Sequence, residues 1–133
     1  MVDTCLLIDV AEADPTYGIS FAQLLDRLRT EGLIVCPVSY VELSPVFDGD
    51  VKAQQEFLYH ACVDWREPWT ETDTRASAIA WNRHVVGRRT GTARKRPLAD
   101  VLIGGFAMRF QGLLTRNPAD FRPSFPQLTI QTP

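Results

Sequence analysis

The sequence lacks the features that would assign it to several common functional classes. No apolar run approaches the roughly 18 residues needed to cross a bilayer, so we expect no membrane association. The first ten residues have no basic flank, and acidic residues interrupt their apolar run, which argues against a signal peptide. Because no GxxxxGK[ST], GxSxG or HExxH motif is present, nothing indicates a nucleotide-cradling loop, a serine hydrolase or a zinc protease.

Cysteine and histidine are also scarce. The cysteines are Cys5, Cys36 and Cys62, each in apolar surroundings and none in a CxxC pair. His60 and His84 have no spacing that would complete a zinc site with them. An odd number of cysteines without a metal-binding spacing predicts reduced, buried thiols and a cytoplasmic location.

The residues that are present predict one globular domain over residues 1–133. Apolar residues make up 45% of the 133-residue chain, which favours a folded protein over a disordered one. A chain of this length buries about two-thirds of the surface that it exposes when unfolded. The sequence contains no internal repeat and no linker long enough to separate two domains.

Helical and strand patterns alternate along the chain, which predicts an α/β fold with a parallel sheet. Helices are predicted from Ser20, where Gln23 completes a capping box, from Ser39, from near Asp50 and from Asp73. Short strands are predicted at 33–36, 63–65, 112–115 and 128–130. Residues 2–8 fit either one strand or a very short strand that becomes helical near Thr4, because periodicity does not separate the two.

The stretch Arg96–Ala107 predicts a buried helix that carries one carboxylate, Asp100, in its first turns. Its apolar residues cover most sides of the helix, as in a helix inside a protein. Gly104 and Gly105 each weaken a helix by roughly 1 kcal/mol against Ala, so we expect something to pack very close to them. These residues alone leave two explanations for Asp100 equally open: it complements the helix dipole, or it belongs to a site.

Charge is distributed unevenly along the chain. Residues 1–73 hold 14 acidic and 4 basic residues, whereas residues 74–133 hold 2 acidic and 10 basic residues. Between Thr74 and Ala99 there is no acid, and seven basic residues lie there. Such a stretch is most often a solvated face, but it is also what contact with a phosphate backbone requires.

Four acidic residues lie next to a strand end or a helix start in an apolar context: Asp3, Glu42, Asp100 and Asp120. In a parallel sheet these positions gather along one edge, where sites form. Because gathered carboxylates repel one another, they call for a cation, and oxygen ligands favour Mg²⁺ or Mn²⁺. Capping offers a simpler explanation for Glu42, three residues after Ser39, and for the segment in which Asn117 precedes Asp120.

The same residues carry a family resemblance. The order Val2-Asp3-Thr4, Ser39-x-x-Glu42-Leu, Leu98-Ala-Asp100-x-Leu-Ile-Gly and Leu114-Thr-Arg-Asn117-x-x-Asp120-Phe resembles the PIN-domain nucleases. It is most similar to the VapC-type toxins of bacterial and archaeal toxin–antitoxin pairs. Each motif is short, but the four occur in the right order and spacing, and they cover the chain from Val2 to Phe121.

The resemblance implies an α/β/α sandwich of three layers with a central parallel sheet. It also implies Mg²⁺- or Mn²⁺-dependent endonuclease action on RNA, an antitoxin protein that blocks the site, and a homodimer. Two alternatives stay open: a nuclease of this fold outside any toxin system, acting in RNA processing or on DNA, and a module that binds RNA or protein without catalysis.

Residue by residue, Asp3, Glu42 and Asp100 match the acidic metal ligands of the family. Asn117 stands where the fourth acid usually falls, so either Asn117 or Asp120 would complete the catalytic set. Thr4 and Thr115 match polar positions that support the metal ligands in the family. Four basic residues are expected to contact the RNA backbone: Arg94, Lys95, Arg96 and Arg116.

Overall fold

A computed structural model of the chain describes residues 1–89 and 98–132. Its helices are α1 Thr4–Ala11, α2 Gly18–Leu28, α3 Pro37–Leu43, α4 Val51–His60, α5 Glu71–Arg89, α6 Leu98–Ala107 and α7 Pro118–Phe121. Its strands are β1 Leu33–Ile34, β2 Val63–Asp64, β3 Leu113–Leu114 and β4 Ile130–Gln131. Short 3-10 helices follow α2 and α3, at Arg29–Glu31 and Ser44–Phe47. Within the described ranges, no helix has the length and apolar character to cross a membrane.

All strand pairs are parallel, and one residue connects them. β1 pairs with β2, and β3 pairs with β4. Val2 forms parallel bridges with both Val35 and Leu114, so the spatial order is β4, β3, Val2, β1, β2. The chain then becomes helical at Thr4, which resolves the two possibilities for residues 2–8. The protein is therefore mixed α/β, with strands shorter than the sequence predicts.

Apolar side chains form two clusters that use alternate residues of these strands. Val2 and Leu114 belong to one cluster, together with residues of α1, α2, α3 and α4. Met1 and Leu113 belong to the other, together with residues of α5, α6 and α7. Because successive residues of a strand point to opposite faces, neighbouring residues supply different clusters.

Two local predictions differ from the structure. The capping box at Ser20 is wrong, because α2 already begins at Gly18 and the Ser20 hydroxyl donates to the carbonyl oxygen of Tyr17 at 2.9 Å. The expectation of three buried thiols is also wrong: Cys36 is buried, Cys5 is half-buried and Cys62 is exposed. Cys62 follows α4 at a φ of +55°, in the turn before β2, so its apolar neighbours in sequence do not enclose it.

Helix α6 has the close packing that its glycines predict. A Cβ on Gly104 would overlap the Phe125 ring, and one on Gly105 would overlap the Ser77 hydroxyl. The Cβ added to Gly105 would also lie 3.0 Å from the Ser77 backbone nitrogen and 3.1 Å from the Asp73 carbonyl oxygen. These glycines therefore let α6 approach α5 and the Phe125 side chain closely. The first turn of α6 is less enclosed, because Leu98 stays half exposed.

An arginine that the sequence did not single out joins α6 to the start of α5. Arg109 donates to Asp73 Oδ1 at 2.7 Å, to Glu67 Oε1 at 2.8 Å and to the Pro68 carbonyl oxygen at 2.8 Å. The other oxygen of Asp73 accepts from the backbone N–H and the hydroxyl of Thr70, the residue before α5. The predicted helix start at Asp73 is therefore wrong, because α5 begins at Glu71 and Asp73 lies inside its first turn. Asp73 is fully buried, so this arginine compensates a charge that would otherwise be costly.

We expect Gly105→Ala to lower the free energy of unfolding by about 1–3 kcal/mol, the usual range for overpacking a core. The new methyl group meets backbone atoms of α5, which cannot turn away as a side chain could. Urea denaturation measures the effect. Ser77→Ala removes the nearest atom, so in the double variant the loss should shrink without vanishing. An unchanged midpoint in Gly105→Ala would show that the two helices do not approach this closely.

Candidate functional site

Asp3 occupies the junction of the parallel strands. It follows Val2, the residue that bridges both strand pairs, and its backbone N–H donates to the Leu114 carbonyl oxygen at 3.0 Å. It is also the N-cap of α1, where its Oδ1 accepts from the Thr4 backbone N–H at 2.8 Å. Only 6% of Asp3 is exposed. Strand pairing on both sides therefore fixes where this carboxylate lies.

The second carboxylate oxygen of Asp3 accepts two further hydrogen bonds. Thr115, the fully buried residue after β3, donates its hydroxyl to Asp3 Oδ2 at 2.6 Å. The Cys5 thiol donates to the same oxygen at 3.2 Å. Burial and the charge of Asp3 raise the pKa of this thiol to about 12, so it remains a protonated donor.

The charged form of Asp3 is disfavoured where it lies. Burial raises the pKa of the carboxyl group above its usual value, and the nearby negative charge of Asp120 raises it further. Hydrogen bonds from Thr115, Cys5 and the Thr4 backbone act in the opposite direction without cancelling the effect of burial. In the described part of the chain, no Lys or Arg forms an ion pair with Asp3.

Glu42 faces the start of α1 rather than the start of its own helix. The Thr4 hydroxyl donates to Glu42 Oε2 at 2.6 Å, so Thr4 contacts Asp3 through its backbone and Glu42 through its side chain. The capping explanation for Glu42 is wrong, because α3 begins at Pro37 with Cys36 as N-cap. Ser39 instead lies inside the helix, fully buried, and its hydroxyl has no partner among the described residues.

The segment after β3 adds Asn117 and Asp120. The Asn117 backbone N–H donates to the Thr115 hydroxyl oxygen at 3.0 Å, which ties this segment to the group that holds Asp3. Asn117 is the N-cap residue of α7, but its side chain makes no capping bond, so the capping explanation fails here as well. Asp120 is exposed in the first turn of α7, and its charge reaches Asp3.

Asp100 is half-buried in the first turn of α6. This helix packs against α3, which carries Glu42, and against α7, which carries Asp120. Over residues 1–89 and 98–132, however, no three His, Cys, Asp or Glu side chains are grouped closely enough to hold one metal ion. Thr4 thus links Asp3 to Glu42, and helix packing brings together the helices that carry Glu42, Asp100 and Asp120.

The basic residues predicted to contact RNA divide into two groups. Arg94, Lys95 and Arg96 lie outside the described residues. Arg116 is described, and its Nη1 donates to both carboxylate oxygens of Asp9, at 2.8 and 2.7 Å. The predicted contact of Arg116 with RNA thus remains a prediction for a side chain that already has an internal partner.

Sequence reasoning missed two contributors to this region, Cys5 and Asp9. Nothing in the local pattern distinguishes the Cys5 thiol as a donor to Asp3. Asp9 did leave a signal, because it is the lone acid within the otherwise apolar helix α1, and a lone acid there needs a partner.

In comparisons with known proteins, no family model, no curated protein and no solved structure matches the chain. The arrangement of side chains therefore has to carry the functional argument.

We expect the stability difference between Asp3→Asn and wild type to shift in favour of the variant as pH rises. The folded protein binds the Asp3 proton more tightly than the unfolded chain does. The wild-type free energy of unfolding therefore falls as pH rises from the ordinary carboxyl pKa of 3.8 to the raised folded value. Asparagine does not titrate, so its variant lacks this decline.

Urea denaturation in EDTA across this pH range measures the difference. Glu31→Gln, which neutralises an exposed carboxylate, serves as the control and should follow wild type. A constant difference between Asp3→Asn and wild type would show that burial does not perturb Asp3.

Proposed function

We propose that this protein is a divalent-metal-dependent endoribonuclease of the PIN type, with Asp3, Glu42 and Asp100 as ligands of Mg²⁺ or Mn²⁺. The observation that carries the proposal is the Asp3 carboxylate, buried at the junction of the parallel strands and linked through Thr4 to Glu42. Its negative form is disfavoured by burial and by Asp120. A bound cation would reverse that penalty, because an adjacent positive charge favours the carboxylate form.

The proposal includes the fold, a three-layer α/β/α sandwich around a central parallel sheet. The parallel order β4, β3, Val2, β1, β2, in which Val2 bridges two two-stranded sheets, supports a central sheet. The two apolar clusters support helices on both faces, because alternate strand residues pack with α1 to α4 in one cluster and with α5 to α7 in the other.

The donor chemistry at the site fits a hard cation. Carboxylate oxygens are the protein ligands that Mg²⁺ and Mn²⁺ prefer, and Thr4 and Thr115 supply hydroxyl donors that orient them. Asp3 is held rigidly, whereas Glu42 is exposed. We infer that metal binding draws on Glu42 as the adaptable member of the ligand set.

The proposed reaction is hydrolysis of an RNA phosphodiester. A bound Mg²⁺ or Mn²⁺ would hold the phosphate, activate water and stabilise the leaving oxygen. Asp120 or Asn117 would orient the attacking water in line with the bond to be broken. The water oxygen bonds to phosphorus, the bond from phosphorus to the 3′ oxygen breaks, and the proton passes to that oxygen. The products are a 5′-phosphate and a 3′-hydroxyl.

The wider biological setting rests on the sequence resemblance alone. It comprises a toxin of a toxin–antitoxin pair in the cytoplasm, active on cellular RNA, an antitoxin protein that blocks the site, and a homodimer. Arg94, Lys95 and Arg96 lie four to six residues before Asp100 in the sequence and would neutralise the RNA backbone. A nuclease of the same fold in RNA processing or on DNA would use the same carboxylates, so the two settings differ in partner rather than in site.

One observation favours a second candidate, a module that binds RNA or protein without catalysis. The described carboxylates do not form a three-residue metal-binding group. Calorimetry with Mn²⁺ separates the candidates, since such a module would bind RNA without binding the metal.

We expect RNA cleavage in Mg²⁺ that stops in EDTA and falls about 100-fold or more in Asp3→Asn and in Asp100→Asn. Loss of groups that merely support a metal ligand already costs about 10–100-fold, and loss of a ligand should cost at least as much. Gel analysis of a labelled RNA measures the rate, and Glu31→Gln controls for the lost charge. Both asparagine variants cleaving as fast as wild type would refute the mechanism.

We also expect Arg94, Lys95 and Arg96, replaced together by Ala, to flatten the salt dependence of RNA binding. Each phosphate contact on a single strand contributes about 0.7 to the slope of log affinity against log salt, so losing three contacts lowers the slope by about 2. Fluorescence anisotropy over a salt series measures it. Arg27, Arg29 and Lys52 replaced by Ala remove the same charge from the acidic half of the chain. If both triple variants keep the wild-type slope, the 94–96 segment does not touch the backbone.

A further inference from the structure

A second buried carboxylate, Asp9, lies in the last turn of helix α1, whereas Asp3 caps the start of that helix. Asp9 is 4% exposed, and both of its oxygens accept from Nη1 of Arg116, at 2.8 and 2.7 Å. Burial raises the pKa of this carboxyl group, and the charge of Arg116 opposes that effect. Because an unpaired charge here would be strongly unfavourable, the pair holds Arg116 close to α1.

Further contacts fix this ion pair in place. The Arg116 guanidinium lies over the Tyr17 ring at 5.2 Å, and Tyr17 stacks on Phe21 of α2 at 5.4 Å. The backbone carbonyl oxygen of Asp9 accepts from the Asp14 N–H at 2.8 Å, in the turn that leads to Tyr17. Arg116 therefore lies between α1 and the start of α2, and a rearrangement of its side chain would break its contacts with both Asp9 and Tyr17.

The backbone of Arg116 lies inside the candidate site. The residue before it, Thr115, gives Asp3 its 2.6 Å hydrogen bond, and the residue after it, Asn117, donates its N–H to the Thr115 hydroxyl oxygen. The Cys5 thiol, which also donates to Asp3, lies 3.7 Å from the hydroxyl oxygen of Thr115 in the same segment. Holding the Arg116 side chain thus holds a segment whose atoms orient the Asp3 carboxylate.

We propose that Asp9 is a positioning residue of this site: through Arg116 it fixes the segment 115–117, and so fixes the hydrogen bond from Thr115 that orients Asp3. The inference rests on the proposed function, since it assigns to Asp9 an effect on metal binding at Asp3. The same proposal gives Arg116 a structural function inside the protein, whether or not its side chain also contacts RNA.

The test compares Asp9→Asn with wild type in the full chain, with Cys62→Ser in both to remove the exposed thiol. Calorimetry with Mn²⁺ alone should give an affinity about 10–100-fold weaker in Asp9→Asn, the usual loss when a group that supports a metal ligand is removed. Alkylation of Cys5, followed by mass spectrometry, should be faster in the variant, because the segment whose Thr115 hydroxyl contacts the thiol is no longer held.

Three further variants complete the comparison. Glu12→Gln removes an exposed charge next to the end of the same helix and should leave both measurements unchanged. Arg116→Lys keeps a cation within reach of Asp9, so it should retain more Mn²⁺ affinity than Arg116→Ala. This pair keeps the test informative if Asp9→Asn does not fold.

The outcomes separate this inference from the proposed function. Wild-type Mn²⁺ affinity in Asp9→Asn would overturn the inference and leave the nuclease proposal intact, because Asp9→Asn preserves the Arg116 charge that RNA contact requires. No Mn²⁺ binding by wild type would refute the proposed function. The Cys5 alkylation rate would then decide alone whether Asp9 positions the segment, and an unchanged rate would refute that.

Discussion

The structure depends on burying one carboxylate at the point where two pairs of parallel strands meet. Val2, the residue before Asp3, forms bridges next to β1 on one side and with β3 on the other. These two bridges leave Asp3 no freedom to move away from the junction. A buried carboxylate is tolerated when donors surround it, and Asp3 receives them from the Thr4 backbone, Thr115 and Cys5. The start of α1 and the end of β3 are consequently held together by their hydrogen bonds to the same carboxylate.

Helix α1 contains two buried carboxylates, and the fold treats them differently. Asp9 is neutralised by a guanidinium that contacts both of its oxygens. Asp3 has hydrogen-bond donors but, in the described part of the chain, no cationic side chain in an ion pair, and the charge of Asp120 adds to its penalty. A structural aspartate would gain most from the first arrangement. In the second, no described cationic side chain compensates the charge of Asp3, which is why Asp3 and not Asp9 is the centre of the proposed site.

Sequence patterns predicted features that depend on a residue's immediate surroundings. The close approach at Gly104 and Gly105 and the parallel pairing of the strands follow from local composition, and the structure contains them. The capping boxes at Ser20 and Ser39 failed because α2 and α3 begin two residues earlier, at Gly18 and Pro37. Cross-chain partners were not predictable in the same way. The contact of Glu42 with Thr4 and of Arg109 with Asp73 depends on how helices pack, which no local pattern records.

The uneven charge of the sequence acquires a structural meaning from these contacts. Arg109 and Arg116 belong to the basic half of the chain, and the three ion pairs that they form reach carboxylates of the acidic half, Glu67, Asp73 and Asp9. Part of the asymmetry therefore joins the two halves instead of lining an outer surface. Counting basic residues overstates the charge that this half can offer to a phosphate backbone. An RNA interface would draw on basic residues that no internal carboxylate neutralises, and Arg116 is not one of them.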